Sequence, residues 1–287
     1  MGEGSLKAPP FRYVRPKRLD EALAILASEG DGARLLAGGQ SLVPALNMRL
    51  LEPKLLIDIT GLAELRGIAE KGGRLRLGAL TRHAELSHPL IGQWAPLLGA
   101  ARSFIAHAAI RNRGTLGGSL AHADPAAELP ACAVALDAEF ELAGPAGRRR
   151  VAARDFFRGV FETALAPDEI LTTIEIPASP PDTRFAFLEL SRRQGDFALA
   201  GIAASARFGK VGAGATRLVF FGIGSKPVEA PAAAAALNGA GWRDPGAAVA
   251  ALAREIEPAA DLHAGAAMKR QLAGVLLRRA VAQWAAA

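Results

Sequence analysis

Ile110-Arg-Asn-Arg-Gly-Thr-Leu-Gly-Gly-Ser-Leu-Ala-His-Ala-Asp-Pro-Ala-Ala-Glu-Leu-Pro130 decides how the rest of the chain is read. Gly114, Gly117 and Gly118 strip side chains from a tight path, so main-chain N–H groups can turn inward and approach a phosphate closely. Thr115 and Ser119 add hydroxyl donors. Asp124 and Glu128, four apart around Pro125, predict two carboxylates on one side of a helical turn opening at the proline, where they could accept hydrogen bonds from sugar hydroxyls. The same residues equally describe a glycine-rich turn leading into an acidic helix start that complements the helix dipole.

A second loop lies upstream. Leu35-Leu36-Ala37-Gly38-Gly39-Gln40-Ser41-Leu42 again sets small residues and a hydroxyl after an apolar run. Arg34 to Ala37 predicts a buried strand and Leu42 to Leu50 a helical pattern, which is the context a phosphate loop requires. A single glycine loop is a weak signal. Two of them could embrace one extended dinucleotide.

The chain has 287 residues, 51% of them hydrophobic, enough for two domains and a sizeable core. Its net charge of +6 suits a phosphate ligand or an acidic partner surface, but aromatic residues are not interleaved with the basic ones, and nucleic-acid binding is not expected. Cys132 is the only cysteine and lies in an apolar stretch. One thiol cannot hold an iron–sulfur cluster. His83, His88, His107, His122 and His263 show no metal-ligand spacing, so no metal of the chain's own is expected. No signal peptide and no bilayer-length apolar run are evident, which gives a cytoplasmic expectation.

In chain order, Asp20 is read as capping a helix whose apolar face includes Ala22, Leu23, Ile25 and Leu26. Pro53 to Ile59 predicts a strand, and Leu65 to Leu77 a hairpin around Lys71-Gly72-Gly73. Thr81 to Leu86 is read as a helix start and Ala95 to Ala109 as a further helix. After the central loop come an apolar helix over Ala131 to Leu136 and a hairpin turning at Gly144 to Gly147. A short helix is expected at Asp155-Phe156-Phe157, then an alternating strand from Ile170 to Ile176. Ala178 to Asp182 is linker-like. Beyond it, strands at Phe185 to Ser191, Ala198 to Phe208 and Thr216 to Gly222 precede an alanine-rich helical end, predicting a small antiparallel sheet with helices on one face. Met268, Leu272, Val275, Leu276 and Ala280 are read as its apolar stripe. Gly222-Ile223-Gly224 is no dinucleotide fingerprint, because Lys226-Pro227 stands where a helix should begin.

Ala37-Gly38-Gly39-Gln40-Ser41 followed by Thr115-Leu116-Gly117-Gly118-Ser119 resembles the paired flavin-binding loops of the medium, FAD-binding subunits of molybdenum hydroxylases, the carbon monoxide dehydrogenase and xanthine dehydrogenase family. The resemblance continues through Asp155-Phe156-Phe157, Asp168-Glu169-Ile170-Leu171, Arg192-Arg193-Gln194-Gly195-Asp196-Phe197-Ala198 and Arg278-Arg279-Ala280, nearly the whole chain in order. It implies an α+β chain: a two-subdomain FAD-binding flavoprotein fold, residues 1–57 and 58–180, then a small C-terminal antiparallel sheet with helices, residues 181–287. It implies FAD as cofactor, bound by Arg34, Ala37, Gly38, Gly39, Gln40 and Ser41 at the first loop, Thr115, Leu116, Gly117, Gly118 and Ser119 at the second, with Ile105, Asp124, Glu128 and Leu171 beside them. No residue of the chain is assigned a catalytic role. The implied partners are a 2Fe–2S small subunit and a molybdopterin large subunit in a dimer of heterotrimers. Where the xanthine dehydrogenase pattern has a lysine near the flavin, this chain has Leu188, leaving main-chain or apolar contacts, such as Phe187, to substitute. The Arg192-Arg193 loop is expected near the flavin.

Two other readings stand beside this one. A free-standing FAD-dependent oxidoreductase of related fold would need its own substrate base, with His107 and His122 the nearby histidines. A scaffold with degenerate loops would retain no flavin.

Overall fold

The computed structural model describes residues 7–239 and 241–286. The first sheet is parallel, with β1 (Arg12–Val14) and, after helix α1 (Leu19–Glu29), β2 (Ala33–Leu36). A short α2 (Leu42–Asn47) leads to β3 (Leu55–Asp58), which lies between the other two strands. Leu19, Ala22 and Leu26 of α1 pack against Leu55, Ile57, Leu62 and Leu65, so one helical stripe closes one face of the sheet. Asp20 does not cap α1: it sits in the first turn beside Arg18, while the Glu64 and Glu21 carboxylates accept the N–H groups of Leu19 and Lys17. The strand entering the first loop is half-buried rather than buried, with Arg34 exposed, because β2 is an edge.

The second sheet is antiparallel. Its hairpin β4 (Ile68–Lys71) and β5 (Arg74–Gly78) turns at the expected glycines. One 3-10 turn at His83–Ser87 replaces the helix expected at Thr81 to Leu86. The helix expected from Ala95 to Ala109 is broken. After α3 (Pro89–Trp94) come α4 (Pro96–Ala101), an irregular stretch and α5 (Ala108–Arg111). The physical reason is at hand: Arg111 Nη1 donates to the carbonyls of Ile105 and Ala106 at 2.8 and 2.7 Å, and Ala106 takes a φ of +35°. Next come α6 (Leu116–His122) and α7 (Glu128–Ala135). The turn at Pro125 is not helical, because Asp124 Oδ1 accepts the Ala126 N–H at 2.8 Å and α7 begins only at Glu128. The hairpin β6 (Glu139–Gly144) and β7 (Gly147–Ala152) follows. Then come α8 (Ala153–Phe156), the small pair β8 (Phe157–Gly159) and β9 (Glu162–Thr163), and β10 (Ile170–Pro177). The strand β10 is central, paired with β5 and β6, and is therefore buried along both faces rather than alternating.

The third sheet is an antiparallel run of β11 (Thr183–Ser191), β12 (Ala198–Gly209), β13 (Gly212–Phe221) and the short β14 (Val228–Glu229). Helices α9 (Pro231–Leu237), α10 (Gly246–Glu255) and α11 (Ala266–Ala286) belong to one side, packing on Ala186, Ile202, Ala204, Leu218 and Phe220. The stripe of α11 keeps the expected Leu276 and Ala280, with Leu272 and Val275 half-buried, and extends to Ala273, Leu277 and Trp284, while Met268 is 47% exposed. The opposite face carries Phe187, Ala203, Val219 and Phe221 into the core of the second sheet, against α4 and α7. Phe187 stands between Phe104 and Phe221, with ring centroids 5.2 and 5.6 Å away. Among the described residues no helix is long and apolar enough to cross a membrane.

Candidate functional site

The two glycine loops, far apart in sequence, interlock. A Cβ on Gly38 would lie 2.5 Å from the Arg113 carbonyl oxygen and 2.7 Å from the Gly114 Cα, so only glycine permits this contact. Gly114 in turn rests on His83, whose Nδ1 would be 2.8 Å from an added Cβ. Ala37 reaches the other side of the second loop, its Cβ 3.8 Å from the position of a Cβ on Gly118. Gln40 folds back to donate to the Gly38 carbonyl at 2.9 Å, and Ser41 opens α2 without capping it.

The second loop is stitched to the end of β5. The N–H groups of His83, Leu116 and Gly117 donate to the carbonyls of Gly114, Thr81 and Ala79 at 2.8–2.9 Å. Thr115 is buried and caps α6, its Oγ1 accepting the Gly118 N–H at 3.2 Å. A Cβ on Gly118 would come within 2.7 Å of that oxygen. Ser119 lies in the first turn of α6, so Thr115, Leu116, Gly117, Gly118 and Ser119 form one strand-to-helix corner, in which Thr115 to Gly117 are buried and Gly118 and Ser119 are half-buried.

The carboxylates sit just beyond α6. Burial raises Glu128 to about 7, more than its own helix-start N–H lowers it, and Asp124 adds to the rise. Glu189 on β11, which sequence reasoning missed, is raised to about 8 by burial and by Glu128, and one of its buried oxygens has no hydrogen-bond partner in the chain. The alternation of β11 contained the signal: Phe185, Phe187 and Glu189 share the face turned toward the second sheet. His83 is the second residue missed. The residue is 7% exposed, it pairs through Nε2 with the Thr115 carbonyl at 3.0 Å, and burial lowers it to about 4, so it is neutral.

The remaining candidates are dispersed around this centre. Leu171 is buried in β10 at the irregular step opposite Leu142, on a strand that touches α6. Ile105 is 6% exposed within the core, its carbonyl bound by Arg111. Arg34 turns back onto the carbonyls of Asp31 and Ala33 at 3.1 and 2.7 Å, and it lines a cleft of about 450 Å³ with Phe161, Glu162 and Thr163. Phe161 is exposed, stacks on His122 at 4.7 Å, and holds a φ of +56°, a strained value for an aromatic residue. Phe187, offered above as a substitute contact, is 5% exposed and committed to its aromatic stack, and Leu188 packs against the C-terminal helices. The Arg192–Asp196 turn lies over the irregular stretch, with Gly195 against Ala106 and His107. Among the described residues, no three His, Cys, Asp or Glu side chains are grouped to hold a metal ion.

The geometry is matched in known proteins. Residues 9–179 match the family described as the FAD binding domain in molybdopterin dehydrogenase, and residues 185–284 match the CO dehydrogenase flavoprotein C-terminal domain. The carbon monoxide dehydrogenase medium chain of Hydrogenophaga pseudoflava is 38% identical over 281 residues, covering 96% of this chain and 98% of that one. The 6-hydroxypseudooxynicotine dehydrogenase complex subunit alpha of Paenarthrobacter nicotinovorans is 37% identical, covering 97% and 95%. Among solved structures, carbon monoxide dehydrogenase from H. pseudoflava superimposes with a TM-score of 0.90 at 38% identity over 97% of this chain and 98% of that one. Quinoline 2-oxidoreductase from Pseudomonas putida 86 gives 0.90 at 34% identity over 96% and 97%. The chain thus belongs to the FAD-binding medium subunits of molybdenum hydroxylases, oxidoreductase subunits whose cofactor is FAD.

Proposed function

We propose that the chain is the flavin-carrying electron-transfer subunit of a three-part molybdenum hydroxylase, taking electrons from a 2Fe–2S subunit and passing them to an external acceptor. The observation that carries this reading is the seating of Gly38 on Gly114, which joins two loops into a single cradle lined by backbone. The loops fit the cofactor: with Gly38 seated on Gly114 and Gly117 on Ala79, the half-buried backbone of Ala37 to Gln40 comes beside that of Gly118 and Ser119, and Ser41 and Ser119 add hydroxyls. Ala37, Gly38, Gly39, Gln40 and Ser41, with Thr115, Leu116, Gly117, Gly118 and Ser119, would hold the pyrophosphate. Asp124 and Glu128 would accept hydrogen bonds from sugar hydroxyls, Leu171 would offer main-chain groups to the ring, and Ile105 and Arg34 would flank the cofactor.

When bound, FAD supplies the redox chemistry; the protein orients it and excludes competing reactions. The interlocked loops fix orientation, and neutral His83 supports the second loop without adding charge. We also propose domain boundaries at 57/58 and 180/181, a division supported by the separation of the three larger sheets, apart from Asp58 at the end of β3. Partners are implied because the chain's one cysteine is buried and cannot build an iron–sulfur relay. Several relatives are named as medium chains or complex subunits, which supports a multi-subunit assembly; a molybdopterin subunit, a 2Fe–2S subunit, a dimer of heterotrimers and a cytoplasmic address complete the proposal.

The test is an absorption spectrum of the purified chain, chromatography of what acid releases, and co-purification from the source. Released FAD without iron–sulfur absorbance, together with two co-purifying partners, is the expected result. Direct reduction of the bound flavin by a small substrate in the isolated chain would overturn the electron-transfer assignment and favour a free-standing oxidoreductase.

A further inference from the structure

Lys269 is the one lysine or arginine fully buried among the described residues, 4% exposed on the first turns of α11. Its ammonium donates to the Gly222 carbonyl at 2.7 Å and pairs with Asp261 at 2.5 Å. Asp261 is held in turn by the N–H groups of His263 and Ala264 at 2.7 and 2.9 Å. Those donors and the ammonium outweigh the effect of burial and keep its carboxyl at about 2.

Gly222 follows directly on β13 with a φ of +75°, and an added Cβ would lie 2.9 Å from the Ala198 carbonyl oxygen. Its N–H donates to the Pro125 carbonyl at 2.8 Å. Pro125 stands between Asp124 and Glu128. A continuous relay, Asp261 to Lys269 to Gly222 to Pro125, therefore runs from the C-terminal helix into the turn that carries the two carboxylates. Stability alone does not account for a buried ammonium here, since well-packed apolar side chains generally serve at least as well. Both polar groups of Gly222 are engaged, one on each side of the junction: its carbonyl belongs to the peptide shared with Ile223 and its N–H to the one shared with Phe221, so a single residue separates the Lys269 anchor from the Pro125 contact.

We propose that Lys269 is a positioning residue for the flavin site: by anchoring Gly222 it sets the Asp124–Glu128 turn against the second glycine loop. This rests on the reading of Asp124 and Glu128 as FAD contacts.

The experiment is a double-mutant cycle on the full chain, stripped of flavin and titrated with FAD. Lys269→Met, Glu128→Ala and the combined variant are compared with the unmutated chain, with Leu277→Ala as a destabilised control from the same helix. Lys269→Met should weaken FAD binding by about tenfold. In the Glu128→Ala background the same change should cost about twofold or less, because the two act through one turn. Leu277→Ala should lower Tm with FAD affinity unchanged below it. If K269M does not fold, Asp261→Asn, at the more exposed end of the relay, takes its place with a smaller but equally coupled loss. Full FAD affinity in the Lys269 and Asp261 variants, equal losses with and without Glu128, or the same loss in Leu277→Ala would each overturn the proposal. An unmutated chain that takes up no FAD would instead overturn the reading on which it rests, as would Glu128→Ala binding normally.

Discussion

Gly38 and Gly118 are required for different reasons, and their substitutions separate them. Gly38→Ala forces a methyl to within 2.5 Å of the Arg113 carbonyl and should part the two loops, abolishing FAD retention while the sheets remain folded. Gly118→Val disrupts the Thr115 cap and fills the space over the loop, with the same expected loss. Acid-released FAD per chain, alongside far-UV circular dichroism, checks both; full flavin content in either variant means the cradle is misassigned. Glu128→Ala should weaken FAD binding by roughly 1.5–3 kcal/mol above pH 7, where the carboxylate is charged, and by less below it. Glu128 and Glu189 also set a pH dependence. Their ordinary value is 4.5, and the folded chain raises them to about 7 and about 8. The folded state then binds more protons than the unfolded state in that window, so their contribution is fully present below pH 4.5 and is lost as pH rises through 7 to 8. Thermal melts of the flavin-free chain should decline over that range, and the decline should flatten in Glu128→Gln combined with Glu189→Gln.

At the scale of elements, Thr115→Ala tests the strand-to-helix corner. Loss of the α6 cap should cost about 1 kcal/mol of stability and loosen the second loop, read as a lower denaturation midpoint and weaker flavin retention. Hairpins, α7, the three long C-terminal strands and both loops were legible because each follows from local signals: paired glycines, alternation and apolar periodicity. The breaks were not legible. Nothing in Ala95 to Ala109 announces that Arg111 will bind the carbonyls of Ile105 and Ala106, since that contact exists only once the chain has turned back. The spacing of Asp124 and Glu128 predicts a helical turn opening at Pro125, but the Asp124 side chain takes the Ala126 N–H and the helix begins only at Glu128. Within the site, the glycines and carboxylates were visible as residue types at set spacings, whereas His83 and Glu189 matter through partners on other segments.

Across the whole molecule, one core joins the second and third sheets through Phe104, Phe187 and Phe221. Phe187→Ala should cost about 3–5 kcal/mol. Because the core is shared, chemical denaturation should follow one transition by both near-UV and far-UV signals, in the parent and in the variant; two separated transitions would show that the sheets unfold as independent bodies. The interlocked loops carry a further consequence, in time rather than in space. The cradle closes only after the strand leading to Gly38, the segment carrying His83 and the corner at Thr115 have met, all of them distant along the chain, and such long-range contacts form late. FAD therefore has nothing to grip in the early folding chain and can only trap what has already assembled. Refolding rates should be indifferent to added FAD, while unfolding slows in its presence, so the cofactor acts as a lock on the finished protein and not as a template for it.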